Sequence, residues 1–486
     1  MSQTIRELSP APIWNHFADL NAIPRPSKKE GHAVQFIRLF GESLQLKTSV
    51  DEAGNVIIRK PASKGMEDRS TIILQGHLDM VHQKNADTDF DFDTQGIDMF
   101  VDGDWVRAKG TTLGADNGIG VAAIMSVLAS TDIPHPALEA LFTVDEETGM
   151  TGALALKGGL LEGRILLNLD TEEDNELTIG CAGGIDVTPV GAYAQEAPEG
   201  KRGLRLSIKG LTGGHSGVDI HKGRANANKL INRLLLELSN DLKIQVASID
   251  GGSLRNAIPR ESIADITIDA AGADEIKKRT AAFNAIIKNE YHFTDPGLQV
   301  TIDEIAGPAM VMQPDFQYRF LRAVYCCPNG IYRMSPDIPG LVQSSNNIAR
   351  ILVKDGSYTV QCLTRSSVDS EKLDLARSIA CAFELAGATL GYSGEYPGWE
   401  PRPDAPIIKL MSELYQELYH SPAHVDAIHA GLECGILGSN YPGMQMISFG
   451  PNIYGAHSPD EKVQVSSVQK FWAFLQEVLK RIPAKN

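Results

Sequence analysis

Residues 73–81 read ILQGHLDMV, an apolar run of strand length that stops at a histidine and, two positions on, an aspartate. Side chains two apart on an extended chain point to one face, so His77 and Asp79 share a face at the strand's carboxyl end. Four more segments end a hydrophobic run with acidic residues or histidine: TTLGADNGIG (111–120), LFTVDEETG (141–149), ILLNLDTEE (165–173) and SFGPNIYGAHSPDE (448–461). The candidates within them are His77, Asp79, Asp116, Glu146, Glu147, Asp170 and His457. Two imidazoles and several carboxylates supply the mixed nitrogen and oxygen donors that a pair of divalent metals needs. A two-metal hydrolase is therefore the leading interpretation. Open α/β sheets place active sites beyond the carboxyl ends of their strands, where these residues fall.

Each segment is weak alone. A metal-binding histidine usually gives its other N–H to a carboxylate, and Asp79 is better placed for that task than for ligation. Asp116 precedes a small-residue helix, and Asp-Asn-Gly by itself more often caps a turn. Glu146 and Glu147 are neighbours at a strand end and face opposite sides. One carboxylate can bind metal while the other faces the attacking water. Asp170 ends another apolar strand, whereas Glu172, Glu173 and Asp174 read as solvated charge.

The whole chain bounds this interpretation. Its 486 residues exceed one hydrophobic core and call for two or three domains. A net charge of −16 argues against nucleic acid or an anionic membrane surface as partner. No stretch reaches the length of an apolar membrane span, and the N-terminal residues do not read as a secretory signal. The six cysteines lack CxxC spacing, which fits reduced thiols in the cytoplasm.

Helical spacing at 12–22 and 29–46 alternates with strand-like runs at 55–60, 71–74, 137–144 and 164–169, around a small apolar helix at 118–130. Strands alternating with helices predict an α/β domain. The character changes near residue 187. From there two α+β lobes follow in tandem, up to the turn-rich YPGW at 396–399. For His457 to join the first sheet, residues 187–396 must be an insertion. The domains expected are thus 1–186 with 397–486, and 187–396.

HLDMV, GADNGIG, DEETGM, LLNLD and GAHSPDE together resemble the metal-binding motifs of the M20 metallopeptidase family. GGHSG (213–217) in the insertion is similar to that family too, and CAGGID, GGSLRNAIPRE, YPGW and HAGLECG extend the likeness over essentially the whole chain. The resemblance implies a zinc-peptidase-like α/β catalytic domain carrying a lid, and the two α+β lobes of 187–396 make that lid two-lobed, a departure from single-lid relatives. It implies that His77 and Asp170 hold one metal, Glu147 and His457 the other, and that Asp116 bridges them. Glu146 then resembles the general base and Asp79 the residue that orients His77. In the lid, His215 resembles the stabiliser of the tetrahedral oxyanion, and Asn256 and Arg365 resemble substrate-holding residues. Glu433 is a candidate partner for the substrate amine.

The cofactors implied are two divalent ions, zinc first, with cobalt or manganese as substitutes. The function implied is a metal-dependent dipeptidase that hydrolyses dipeptides, preferentially Xaa-His, including the β-Ala-His type. Alternatives are an amidohydrolase of N-acyl or N-carbamoyl amino acids and a non-catalytic peptide-binding protein. A two-lobed lid could supply His215 within one chain, so a monomer and a homodimer both remain open.

Overall fold

The computed structural model describes residues 4–199 and 202–485. They form two compact units. One comprises the chain up to Gly180, Pro401–Ala427 and the chain from Leu432; the other is inserted in it and comprises Cys181–Glu400 and Ile428–Gly431.

The first unit is built on an eight-stranded mixed sheet in the order Lys47–Val50, Val56–Lys60, Leu138–Thr143, Ile72–His77, Ile165–Asn168, Gln445–Ser448, Glu176–Cys181 and His424–Ile428. Its four central strands, from Leu138–Thr143 to Gln445–Ser448, run parallel. Every residue of Ile72–His77, Leu138–Thr143 and Ile165–Asn168 is buried. Strands covered on both faces read as continuous apolar runs, which is why these segments stood out. The helix Ala115–Ala129, buried almost all round, lies on the 72–77 strand and under the helix Ala11–Asn21.

A second, four-stranded sheet joins Ile453–Tyr454, Lys462–Gln464, Trp105–Ala108 and Met99–Asp102. The hairpin from Tyr454 to Lys462 carries the loop with His457 and Glu461 at its tip. Strand spacing is not visible in these short, half-polar segments. They became strands through pairing with distant partners, such as Val463 opposite Val106.

The inserted unit holds one nine-stranded sheet with the helices Ala227–Asp241, Ala273–Glu290, Pro314–Cys326 and Asp369–Glu384. The two expected lobes are its halves. Gln245–Gly252 of the first pairs antiparallel with Val342–Lys354 of the second, and a single apolar core runs through both, from Leu235 and Phe283 to Phe320 and Phe383.

Candidate metal centre

The parallel strands deliver four of the candidates to one edge. His77 closes the 72–77 strand, and Glu146 and Glu147 open a one-turn helix just past Leu138–Thr143. Asp170 follows Ile165–Asn168, and Asp116 stands where the helix Ala115–Ala129 begins with non-helical backbone (φ −80°, ψ 112°). The hairpin loop adds His457, held at a positive φ of 64°.

These side chains meet. His77 Nε2 lies 3.1 Å from Asp116 Oδ1 and 3.5 Å from Asp170 Oδ1. His457 Nε2 lies 3.0 Å from Glu147 Oε2 and 3.4 Å from Asp116 Oδ2. Asp116 thus turns one oxygen to each imidazole. His77, Asp116 and Asp170 form one group whose ligand atoms all lie within 4.8 Å, and Asp116, Glu147 and His457 form another. His77 is buried while the His457 side chain is 55% exposed, so one group lies deep and the other opens outward.

The electrostatics call for cations. Burial opposes charge on His77, but Asp170, Asp116 and Asp79 outweigh it and hold the imidazole well above its ordinary pKa. Contacts with Asp116 and Glu147 push His457 up to about 11. Burial raises Asp170 to about 6 and lifts Glu146 well above the usual carboxylate range. Glu147 Oε1 is buried without a hydrogen-bond partner, which costs free energy unless something electropositive meets it. Two groups of imidazole and carboxylate donors around a shared aspartate fit two divalent ions of the zinc type. A third acidic group, Glu30, Asp79 and Asp145, is different. Each of its members is already hydrogen-bonded by neighbouring backbone or hydroxyl groups.

Asp79 is more than a partner to the histidine. Its Oδ1 is 3.3 Å from His77 Nδ1 and accepts the backbone N–H of Glu146 (2.9 Å), while Oδ2 accepts that of Glu147 (3.2 Å) and the Ser27 hydroxyl (2.8 Å). One buried carboxylate therefore lies against the imidazole and holds the backbone that presents both glutamates. Asn117 performs a similar service, donating from Nδ2 to Leu169 O and Asp170 Oδ1. A Cβ on Gly76 would overlap the Asn117 carboxamide, so the residue before His77 must be glycine for this approach.

Two supporting residues gave no signal in the sequence. Glu461 is 2% exposed and accepts four backbone N–H groups, from Leu113 (2.7 Å) and Gly114 (2.9 Å) on Oε2 and from Ala115 (2.7 Å) and Asp116 (3.3 Å) on Oε1. Arg25 is equally buried and donates to Leu78 O, Asp79 O and Gly114 O, joining the turns that carry His77 and Asp116. Glu461 closes the quoted segment AHSPDE, and its burial was the missing clue.

Glu433 lies among the strands, 1% exposed, with Oε2 accepting from Gln75 Nε2 (2.6 Å) and Thr143 Oγ1 (2.7 Å) and Oε1 left without a partner. Burial raises it to about 7. It belongs to neither ligand group.

The remaining candidates lie in the inserted unit. His215 and Ala257 face each other across a two-residue ladder, and Asn256 O accepts the Ser216 N–H at 2.8 Å, so His215 and Asn256 are neighbours. His215 Nδ1 accepts from the backbone N–H groups of Gly217 (3.1 Å) and Val218 (3.2 Å). In the neutral ring the proton therefore sits on Nε2. Burial, then the charge of Arg365, lowers the His215 pKa and favours that neutral form. Arg365 is 5% exposed and donates from Nη1 to the Tyr396 hydroxyl at 2.8 Å.

Comparison with known proteins bears on the family. Residues 206–295 match the peptidase dimerisation domain of the M20 family. The chain is 42% identical over 482 residues to the cytosol non-specific dipeptidase of Escherichia coli, covering 99% of each. The crystal structure of aminoacylhistidine dipeptidase from Vibrio alginolyticus superposes with a TM-score of 0.94 at 44% identity, covering 100% of this chain and 99% of that one. Aminopeptidase PepT from Bacillus cereus shares the fold at a TM-score of 0.58 and 14% identity, over 98% and 99% of the two chains. A near full-length relative at this identity, together with a shared-aspartate pair of donor groups, places the chain in the M20 metallopeptidase family.

Proposed function

We propose that the chain is a metallodipeptidase that hydrolyses the peptide bond of dipeptides, Xaa-His among them, with two zinc ions. The observation that carries this is Asp116, whose two carboxylate oxygens each face a different histidine and so define two adjacent donor groups. His77 and Asp170 would hold one ion with Asp116, and Glu147 and His457 the other. When bound, the ions lower the pKa of water and polarise the scissile carbonyl. The likeness to relatives named as dipeptidases supports the substrate class, and the E. coli relative's name supports a cytoplasmic setting. Either a monomer or a homodimer accommodates this chemistry.

The chain's own residues supply the rest. Glu146 takes the proton of the attacking water and returns it to the leaving amine. Asp79 accepts its backbone N–H and so positions the residue beside the ligand groups while leaving the carboxyl itself uncommitted to Asp79. Asp79 also keeps the His77 ring in place. His215 offers Nε2–H to the oxyanion, a role supported by the two amides that fix its tautomer. Asn256 adds a donor beside it, and Arg365 takes the substrate's C-terminal carboxylate. The uncommitted Oε1 of Glu433 supports pairing with the free amine.

Two measurements test this. Zinc- or cobalt-loaded protein should turn over dipeptides faster than tripeptides, N-acetyl amino acids or N-carbamoyl amino acids. Preference for the acylated compounds would move the assignment to an amidohydrolase, and tight peptide binding without turnover to a binding protein. Second, Asp116→Ala should lower bound metal from two equivalents per chain to one or none by elemental analysis. Two equivalents retained in that variant would dismiss the bridging role.

A further inference from the structure

The motifs CAGGID and YPGW have no part in the metal centre, yet they converge on Arg365. In the inserted unit Arg365 pairs with Gly184 on the neighbouring strand, and Gly184 pairs in turn with Tyr396 on the next. Residues opposite one another across a ladder present side chains to one face. Gly184 has none to present. The Tyr396 ring crosses the space above it, where a Cβ would come within 2.7 Å of Cε1 and Cζ, and the hydroxyl reaches Arg365 Nη1 at 2.8 Å.

The guanidinium has no carboxylate partner among the described residues, and its Nε is buried with no hydrogen-bond acceptor. The nearby Asp186 is engaged by Arg255 at 3.2 Å. A buried, unpaired cation is costly unless an anion completes it. The Tyr396 oxygen accepts from Arg365, so its own O–H is a donor in its own right. Burial keeps that phenol protonated. A guanidinium N–H beside a phenolic O–H suits a planar carboxylate, which accepts at two oxygens.

We propose that Tyr396 is a specificity-determining residue, which aims the Arg365 guanidinium and donates its hydroxyl to the substrate's C-terminal carboxylate. This rests on the assignment of that carboxylate to Arg365. Gly184 is then the seat that lets the tyrosine reach it.

The test compares the zinc-loaded full chain on one dipeptide and on the same dipeptide as its C-terminal amide. Tyr396→Phe should raise KM for the acid by ~10-fold or more, the scale of a lost hydrogen bond to a charged group. Its kcat should change by less than ~3-fold, because uniform binding rather than transition-state stabilisation is removed. KM for the amide should rise by less than that for the acid, because a neutral carbonyl oxygen accepts a weaker hydrogen bond than a carboxylate, so the preference for acid over amide shrinks. Gly184→Ala, which keeps the hydroxyl but displaces the ring, should move the same preference in the same direction. A merely structural role would depress acid and amide alike, and that result overturns the proposal, as does an unchanged KM for the acid. Arg365→Ala separates the two levels. If it too leaves the acid preference intact, the carboxylate assignment itself falls. If it abolishes the preference while Tyr396→Phe does not, only the role of Tyr396 falls.

Discussion

Replacing Glu146 by Gln is expected to slow peptide hydrolysis by about 10²–10⁴-fold in kcat, the usual contribution of a positioned general base. Two observations place the loss in the chemical step. Glu146 is absent from both ligand groups, so the variant should bind metal normally. Its backbone, not its carboxyl, is what Asp79 holds, so the turn presenting Glu147 should persist. Metal content of two equivalents, an unchanged KM and a collapsed kcat are the expected triad. Asp is the informative second substitution. It keeps the carboxyl but withdraws it by one methylene, and should recover only part of the rate because proton transfer depends on reach. A Glu146→Gln enzyme with near wild-type kcat would assign the base elsewhere, and equal loss of metal would make Glu146 a ligand.

The two clustered donor groups were legible in the sequence for a reason that also limits what else was. A strand buried on both faces must be a continuous apolar run, and a charged group ending it has to be either exposed or used. Ile73–Val81 and Ile165–Glu173 announce themselves that way. Residues that act from a distance carry no such mark. Arg25 lies in Ile23-Pro24-Arg25-Pro26, which reads as a loop, yet its guanidinium joins two ligand turns more than 30 positions apart in sequence. The lid shows the same limit at larger scale. Each half has the strand and helix pattern of a separate α+β lobe. That the halves fuse is decided by the pairing of Ile249 with Val353 and Gly252 with Arg350, and periodicity within a segment says nothing of its distant partner. Similarly, HAGLECG shows Glu433 as an acid near a small-residue turn, and only the fold shows it hydrogen-bonded to Gln75 and Thr143.

Glu461 yields the sharpest expectation of this hidden class. Its carboxylate receives four successive amides, from Leu113 to Asp116, and so shapes the turn that aims both oxygens of Asp116. Glu461→Ala strands those donors in a buried place. An unsatisfied buried N–H costs about 1–3 kcal/mol, so even with partial rehydration the variant should lose roughly 3 kcal/mol or more. For a unit of this size that lowers the apparent Tm by about 5–10 °C. Glu461→Gln offers a graded comparison. Its single carbonyl oxygen can serve one pair of amides, while its NH₂ faces the other pair donor to donor, so it should fall between wild type and alanine. The metal readout separates shape from bulk stability. If Glu461 acts by holding Asp116, zinc affinity should weaken in both variants at temperatures where they remain fully folded by circular dichroism, with alanine worse than glutamine. Destabilised variants that still bind two zinc ions with wild-type affinity would reduce Glu461 to a fold-stabilising residue. Wild-type thermal stability in Glu461→Ala would contradict the four-amide contact itself.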